Sequence, residues 1–168
     1  MWFSGTNFKR LGTFIKWNPA IKPIQNKKGL LKTLLYERID LVTTDHATQT
    51  LDEKQKPYFQ SISGAPIVQH SLNIMLEFYK KGLLSLEKII EKMCYNPATL
   101  YSIEKRGFIR ESYFADLTIV DLNSVWAISK ENILSKYGWS PLDGTTFQTN
   151  VTHTFVNGNL VYENGQFK

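Results

Sequence analysis

Apolar and polar positions follow two rhythms along this chain, and the change between them falls near residue 105. Before it, short apolar runs alternate with helical repeats. Residues 13–17 (Thr-Phe-Ile-Lys-Trp) predict a short strand stopped by Asn18-Pro19, because proline donates nothing to a ladder and pushes its predecessor toward extended geometry. Residues 26–37 predict a helix with Leu30, Leu31, Leu34 and Leu35 on one face. Ile39–Thr44 is a β-rich run that ends at Asp45-His46. Strand, helix and strand in that order are the βαβ unit of a parallel sheet, so the expected fold class is α/β. Residues 46–66 read as loop, polar and broken by Pro57, Gly64 and Pro66. Residues 71–81 predict a helix through Leu72, Met75, Leu76 and Tyr79, with Gly82 suited to the position after its end. Ser85 caps a further helix with Leu86, Ile89, Ile90 and Met93 inward, and Asn96-Pro97 restarts it with Asn96 as N-cap. Beyond residue 105 the elements are β: Ala115–Val120, then Val151–Val156 and Asn159–Tyr162 joined by Asn157-Gly158, a type I′ hairpin signal.

Composition allows a packed core. Of 168 residues 42% are hydrophobic, which excludes a disordered tail, and the length suits one ordinary domain. The single cysteine, Cys94, forbids an internal disulfide and points to a reducing compartment; its place on an apolar helix face predicts core packing. No apolar run approaches the roughly 18 residues of a membrane span. Met1–Gly5 is not followed by the apolar stretch of a signal peptide. The expectation is a cytoplasmic protein with no membrane partner. Charge is uneven: residues 1–40 carry eight Lys/Arg against Glu37 and Asp40, whereas residues 41–168 carry twelve basic against thirteen acidic side chains. The basic residues stand singly and no nucleic-acid-binding motif accompanies them, so a solvated face is expected and no nucleic-acid partner.

Most chemistry-bearing motifs are absent: no phosphate-binding glycine loop, no Gly-x-Ser-x-Gly, no Cys pair, no His-Glu-x-x-His. His46, His70 and His153 stand too far apart in sequence to form a self-contained zinc motif. One constellation stands out, Thr43-Thr44-Asp45-His46-Ala47. An apolar strand ends there in an Asp and a His, and strand C-termini line the active site in parallel α/β folds. Asp45 in that place can ligate a metal or take a proton from metal-bound water; the pattern alone equally allows an Asp that closes a turn beside His46. Asn18 ends the preceding strand in the same way, as a substrate-holding carboxamide or as a turn residue before proline.

These residues carry a resemblance. Thr44-Asp45-His46-Ala47 with Leu51-Asp52-Glu53-Lys54 resembles the Thr-Asp-His-Ala-Pro-His-Thr-x-Glu-Glu-Lys segment of dihydroorotases and related cyclic amidohydrolases. Lys16-Trp17-Asn18-Pro19 resembles the family's Lys-x-Asn-Pro-Pro stretch, and Ser85-Leu86-Glu87-Lys88 with Asn96-Pro97-Ala98 its paired helices. Lys105–Ile109 and Ala115-Asp116-Leu117 resemble the entry to its β domain, and Val156-Asn157-Gly158 its closing hairpin. The similarities run in order over nearly the whole chain.

The resemblance implies the C-terminal part of a TIM (β/α)8 barrel over residues 1–104, followed by part of a small β-sandwich over 105–168. It implies zinc-dependent hydrolysis of a cyclic amide, of the kind that interconverts dihydroorotate and N-carbamoyl-aspartate in pyrimidine biosynthesis. Hydantoinases and allantoinases are the alternative relatives. The family's metal-binding, proton-shuttling Asp corresponds to Asp45 and its substrate-binding Asn to Asn18. The segment that contacts the substrate ring corresponds to the loop at Ser63–Pro66, with Ala65 and Pro66 as contacts. Two departures stand inside the motif: Thr48 replaces a Pro, and Gln49 replaces a His that helps bind the substrate carboxylate. The His-x-His of the first barrel strand, and the Lys and His ligands of later strands, have no counterpart in this sequence. One Asp beside one His falls short of the three protein ligands of a catalytic zinc. The expectation is therefore a C-terminal piece, inactive alone, whose partner is an N-terminal complement or a second copy. The alternative is a non-catalytic relic or interaction subunit.

Overall fold

A computed structural model describes residues 2–168. In chain order the main elements are α1 (Phe8–Leu11), α2 (Ile24–Leu35), α3 (Leu51–Lys54), α4 (Ser71–Lys80), α5 (Leu86–Ile90), α6 (Asn96–Leu100), β1 (Leu117–Asp121), β2 (Trp126–Ala127), β3 (Thr146–Phe147), β4 (Asn150–Val156), β5 (Asn159–Glu163) and β6 (Gln166–Phe167). The chain is α/β and forms two compact units. One holds the chain up to Ile39 with Thr44–Ser71 and Ala127–Thr145; the other holds Asp40–Thr43, Leu72–Trp126 and Thr146–Lys168. Among the described residues no helix is long and apolar enough to cross a membrane.

The first unit joins α2 and the short helices α1 and α3 by turns, with Ile15, Leu34, Ala65, Ile128, Trp139 and Leu142 buried in it. Its entry is a tight turn in which Asn7 Oδ1 accepts the Ser4 N–H at 2.8 Å. The strand expected at 13–17 does not form. Gly12–Ile15 is a turn of 3-10 helix, and Ile15 is its buried residue. Helix α2 spans nearly the predicted range, but only Leu34 of the leucine face is fully covered; Leu30 and Leu35 lie open. Within the expected loop 46–66, Thr50 and Glu53 form a capping box that starts α3. Phe14 packs edge-on against Trp139 at 5.4 Å between centroids.

The second unit carries α5, α6 and the four-stranded sheet, with nearly all of α4. Helix α4 buries Met75, Leu76 and Phe78. It closes in a Schellman turn: Gly82, at φ +66°, donates to Tyr79 O at 2.8 Å, and Leu83 donates to Phe78 O at 2.9 Å. Ser85 caps α5 by accepting the Lys88 N–H. The break expected at Asn96 is absent. Asn96 has helical angles, and the chain runs from α5 through a π-helical turn at Glu91–Tyr95 straight into α6. The Asn96 side chain donates instead to Asp40 O at 2.6 Å. Cys94 is exposed rather than packed in the core; Ile90, expected inward one turn earlier on the same face, is 42% exposed as well, so that face of the helix lies open. The run at 39–44 forms no ladder; Val42 N–H is satisfied by Lys92 O at 3.1 Å, a carbonyl of the π-helical turn. The βαβ unit expected there is replaced by these single contacts.

The sheet is antiparallel, in the order β1-β4-β5-β6. Asn157 and Gly158 take φ +53° and +80° between β4 and β5, the left-handed pair a type I′ turn requires. Asp116 secures this turn from outside: one carboxylate oxygen accepts the Asn157 N–H at 2.8 Å, and the other pairs with Arg106.

Candidate functional site

The residues assigned to the site, Asn18, Asp45, Gln49, Ala65 and Pro66, lie in the first unit, on three segments of chain: 16–18, 45–49 and 63–66. Backbone hydrogen bonds tie the three together. Gly64 N–H donates to Lys16 O at 2.8 Å, and Ala47 N–H donates to Ala65 O at 3.1 Å. His46 and Ala65 form an isolated parallel bridge. So the segment that ends in Asn18 and the segment that follows Asp45 both meet the 63–66 turn. The bridge is not the parallel pairing expected between 13–17 and 39–44, which does not form; it joins two residues of the segment expected as loop.

Asp45 sits at φ +49°, a left-handed conformation that Asp tolerates better than most residues. Its side chain is exposed and makes no hydrogen bond or ion pair among the described residues. The turn holds the carboxylate out to solvent. His46 is also exposed; its Nδ1 accepts the Val68 N–H at 3.2 Å, which places the proton of the neutral ring on Nε2. Asn18 is exposed and joined to Pro19 by a cis peptide bond. Ala65 and Pro66 are buried.

Gln49 is buried, and its amide orientation is decided by its neighbour. Nε2 donates in a very short contact to Ser63 O, so the nitrogen must face that carbonyl. Oε1 is left buried without a hydrogen-bond partner. The Gln49 carbonyl accepts the Trp139 indole N–H at 2.8 Å. Gly64 supplies the remaining closeness: at φ +106°, a Cβ there would lie 2.5 Å from Ala47 Cβ.

Lys54 and Trp139 were given no role by the sequence. Lys54 is fully buried, and its Nζ donates to Lys16 O, Ile62 O and Gly64 O at 3.1, 2.9 and 2.5 Å. The capping box at Thr50 and Glu53 was a readable signal for α3. Nothing in the pattern marked its last residue as a core lysine, since Lys is almost never fully buried.

Among the described residues no group of three or more His, Cys, Asp or Glu side chains is placed to hold a metal ion. Asp45 supplies one free donor, since His46 Nδ1 is engaged by the Val68 N–H, where a catalytic zinc takes three from protein. The residues present do not by themselves fit a zinc site.

Comparison with known proteins places the chain in a family. The sequence profile of the amidohydrolase family matches residues 26–161. Dihydroorotase from Pyrococcus furiosus is 31% identical over 149 residues, covering 89% of this chain and 34% of its own length. Dihydroorotase from Endomicrobium trichonymphae is 33% identical over 156 residues, 92% of this chain and 37% of its own length. Among solved structures, L-hydantoinase (dihydropyrimidinase) from Arthrobacter aurescens superposes with a TM-score of 0.94 at 27% identity, over 99% of this chain and 38% of that one. D-hydantoinase from Thermus sp. shares the fold, with a TM-score of 0.90 at 20% identity. This chain belongs to the amidohydrolase family. It spans about a third of the length of the curated relatives it matches.

Proposed function

We propose that the chain is the C-terminal part of a dihydroorotase-type cyclic amidohydrolase, with barrel residues over 1–104 and β-sandwich residues over 105–168. In this reading it works only with a complement that supplies the other zinc ligands. The observation that carries the reading is the open Asp45 carboxylate at the end of the apolar run 39–44, beside the bridge from His46 to Ala65. That is where a family member's proton-handling carboxylate belongs. In such a complex Asp45 would contribute one ligand and carry the proton, and Asn18 would hold the substrate amide; Gln49, Ala65 and Pro66, buried in this chain, would form the floor beneath the ring. A zinc ion, once completed by the complement's ligands, would supply the hydroxide nucleophile.

The share of relatives covered and the shortage of donors both support the need for a complement. The relatives' names divide between dihydroorotate and hydantoin chemistry, and the sequence identities favour dihydroorotate. A second reading, a non-catalytic dihydroorotase-like subunit, draws on Gln49. Its amide is spent on Ser63 and carries no positive charge for a substrate carboxylate.

The test is reconstitution. The chain is mixed with an N-terminal amidohydrolase piece, and zinc content and hydrolysis of dihydroorotate and hydantoin are measured. Bound zinc with turnover abolished by Asp45→Asn supports the hydrolase. A stable complex that holds zinc and turns over neither substrate supports the non-catalytic subunit. Turnover unaffected by Asp45→Asn refutes the role given to Asp45.

A further inference from the structure

We propose that Lys54 is a positioning residue for this site: its ammonium clamps the carbonyls of Lys16, Ile62 and Gly64 and so sets the backbone that presents Asn18, Gln49 and Ala65. The observation is a buried cation held by backbone alone. Lys54 is 0% exposed. Its three N–H donors meet three carbonyl acceptors at 2.5 to 3.1 Å, and no carboxylate pairs with it among the described residues. A buried lysine without a counter-ion is costly unless every donor is used, and here every donor is used on main chain that carries the site. Lys16 lies two residues before Asn18. Gly64 precedes Ala65. Lys54 itself lies at the end of the one-turn helix that follows Gln49.

The surroundings fit a clamp. The Trp17 and Trp139 rings flank the ammonium at 6.0 and 5.9 Å from their centroids, and Trp139 also holds the Gln49 carbonyl. Lys16 O is shared between the Gly64 N–H and Lys54 Nζ, so one carbonyl joins the turn to the clamp. Ser61 Oγ donates to Lys54 O at 3.0 Å and closes the turn onto the helix. The charged group that faces Lys54 is Lys16, whose own Nζ is held by Tyr58 O and Ser61 O, each at 2.6 Å. The Ile62–Gly64 turn and the Trp139 segment bring no charge to it. Burial, with the Lys16 charge adding, lowers the Lys54 ammonium to about 8. Above that pH an amine has two donors for three carbonyls, and the clamp loses a member.

The inference rests on the site reading above only for what the three segments do, so its test reads geometry without turnover. Amide hydrogen exchange and indole resonances are followed by NMR on the full chain, for wild type and Lys54→Met. Exchange at Gly64 and Ala47 should accelerate about tenfold or more in Lys54→Met while the amides of β4 and β5 stay unchanged. In the wild type, the side-chain signal of Lys54, assigned by its proximity to the Trp17 and Trp139 indoles, should titrate near 8. The Trp139 indole and the Gly64 and Ala65 amides should move with it. Unchanged exchange at Gly64 and Ala47 overturns the proposal. Where Lys54→Met does not fold, the wild-type titration decides: a Lys54 transition that leaves the Gly64, Ala65 and Trp139 signals still also overturns it. A failed reconstitution with an intact titration counts against the hydrolase reading and leaves the clamp standing.

Discussion

Gly64→Ala should be among the most damaging single-methyl additions in the first unit. Two effects add. At φ +106° an L-residue is strained whatever surrounds it, at about 1–3 kcal/mol. The new Cβ would also stand 2.5 Å from Ala47 Cβ and 3.1 Å from Gln49 Nε2. Carbon atoms settle at roughly 3.5–4 Å, and an alanine has no torsion with which to retreat, so backbone must move. That backbone is held by Ala47 N–H to Ala65 O and Gly64 N–H to Lys16 O, each worth about 1 kcal/mol. The total is about 3–5 kcal/mol. Gly138→Ala is the control: φ is +63° but nothing lies within 4 Å, so only the left-handed backbone cost of about 1–2 kcal/mol applies. Urea unfolding followed by tryptophan fluorescence separates them, because Trp17 and Trp139 both report on this unit. With a slope of roughly 1–3 kcal/mol per molar urea, Gly64→Ala should lower the midpoint by about 1 M or more, clearly beyond the control. Adding Ala47→Gly should return part of the loss by removing the colliding methyl. Equal midpoints for the two glycine variants, or no recovery with Ala47→Gly, would show that the close approach of the two segments is not as described.

Two further expectations concern pH. His70 is 1% exposed and burial lowers it from 6.5 to about 4, so the unfolded chain binds the proton first; stability is full above 6.5 and should fall by about 3 kcal/mol as pH drops through 4, a slope that His70→Gln flattens in acid-titrated thermal melts. Asp116 is held below its ordinary 3.8 first by the Asn157 N–H and then by Arg106. Its contribution is present above that value and lost as pH falls through the folded one. Asp116→Asn should cost about 1 kcal/mol at neutral pH, small because the pair is partly solvated, and the gap to wild type should close in acid.

Local signals carried the elements whose bonds close within a few residues. The period and glycine stop of α4, the Ser85 cap of α5 and the Asn157-Gly158 turn were all legible, because caps, Schellman turns and I′ turns use neighbours in sequence. Asp45 was legible as an acid at the end of an apolar run, and the order of short motifs pointed to the family that comparison then showed. What the pattern misplaced depends on partners far along the chain. Residues 13–17 have strand composition but no strand beside them, so they close into a 3-10 turn over Ile15. The 39–44 run gives its Val42 donor to a carbonyl of the π-helical turn for the same reason. Asn96 spends its side chain on Asp40 O, which leaves the helix free to run through it. The burial of Lys54 was invisible in the same sense. A lysine enters a core only when three carbonyls from elsewhere converge on it, and convergence belongs to tertiary structure. The sequence determined which residues could do chemistry; the convergence of Lys16, Ile62 and Gly64 carbonyls on one ammonium, with Ala47 bonded to Ala65 beside them, decided where they stand, because the ammonium's contacts span 8 to 38 positions along the chain.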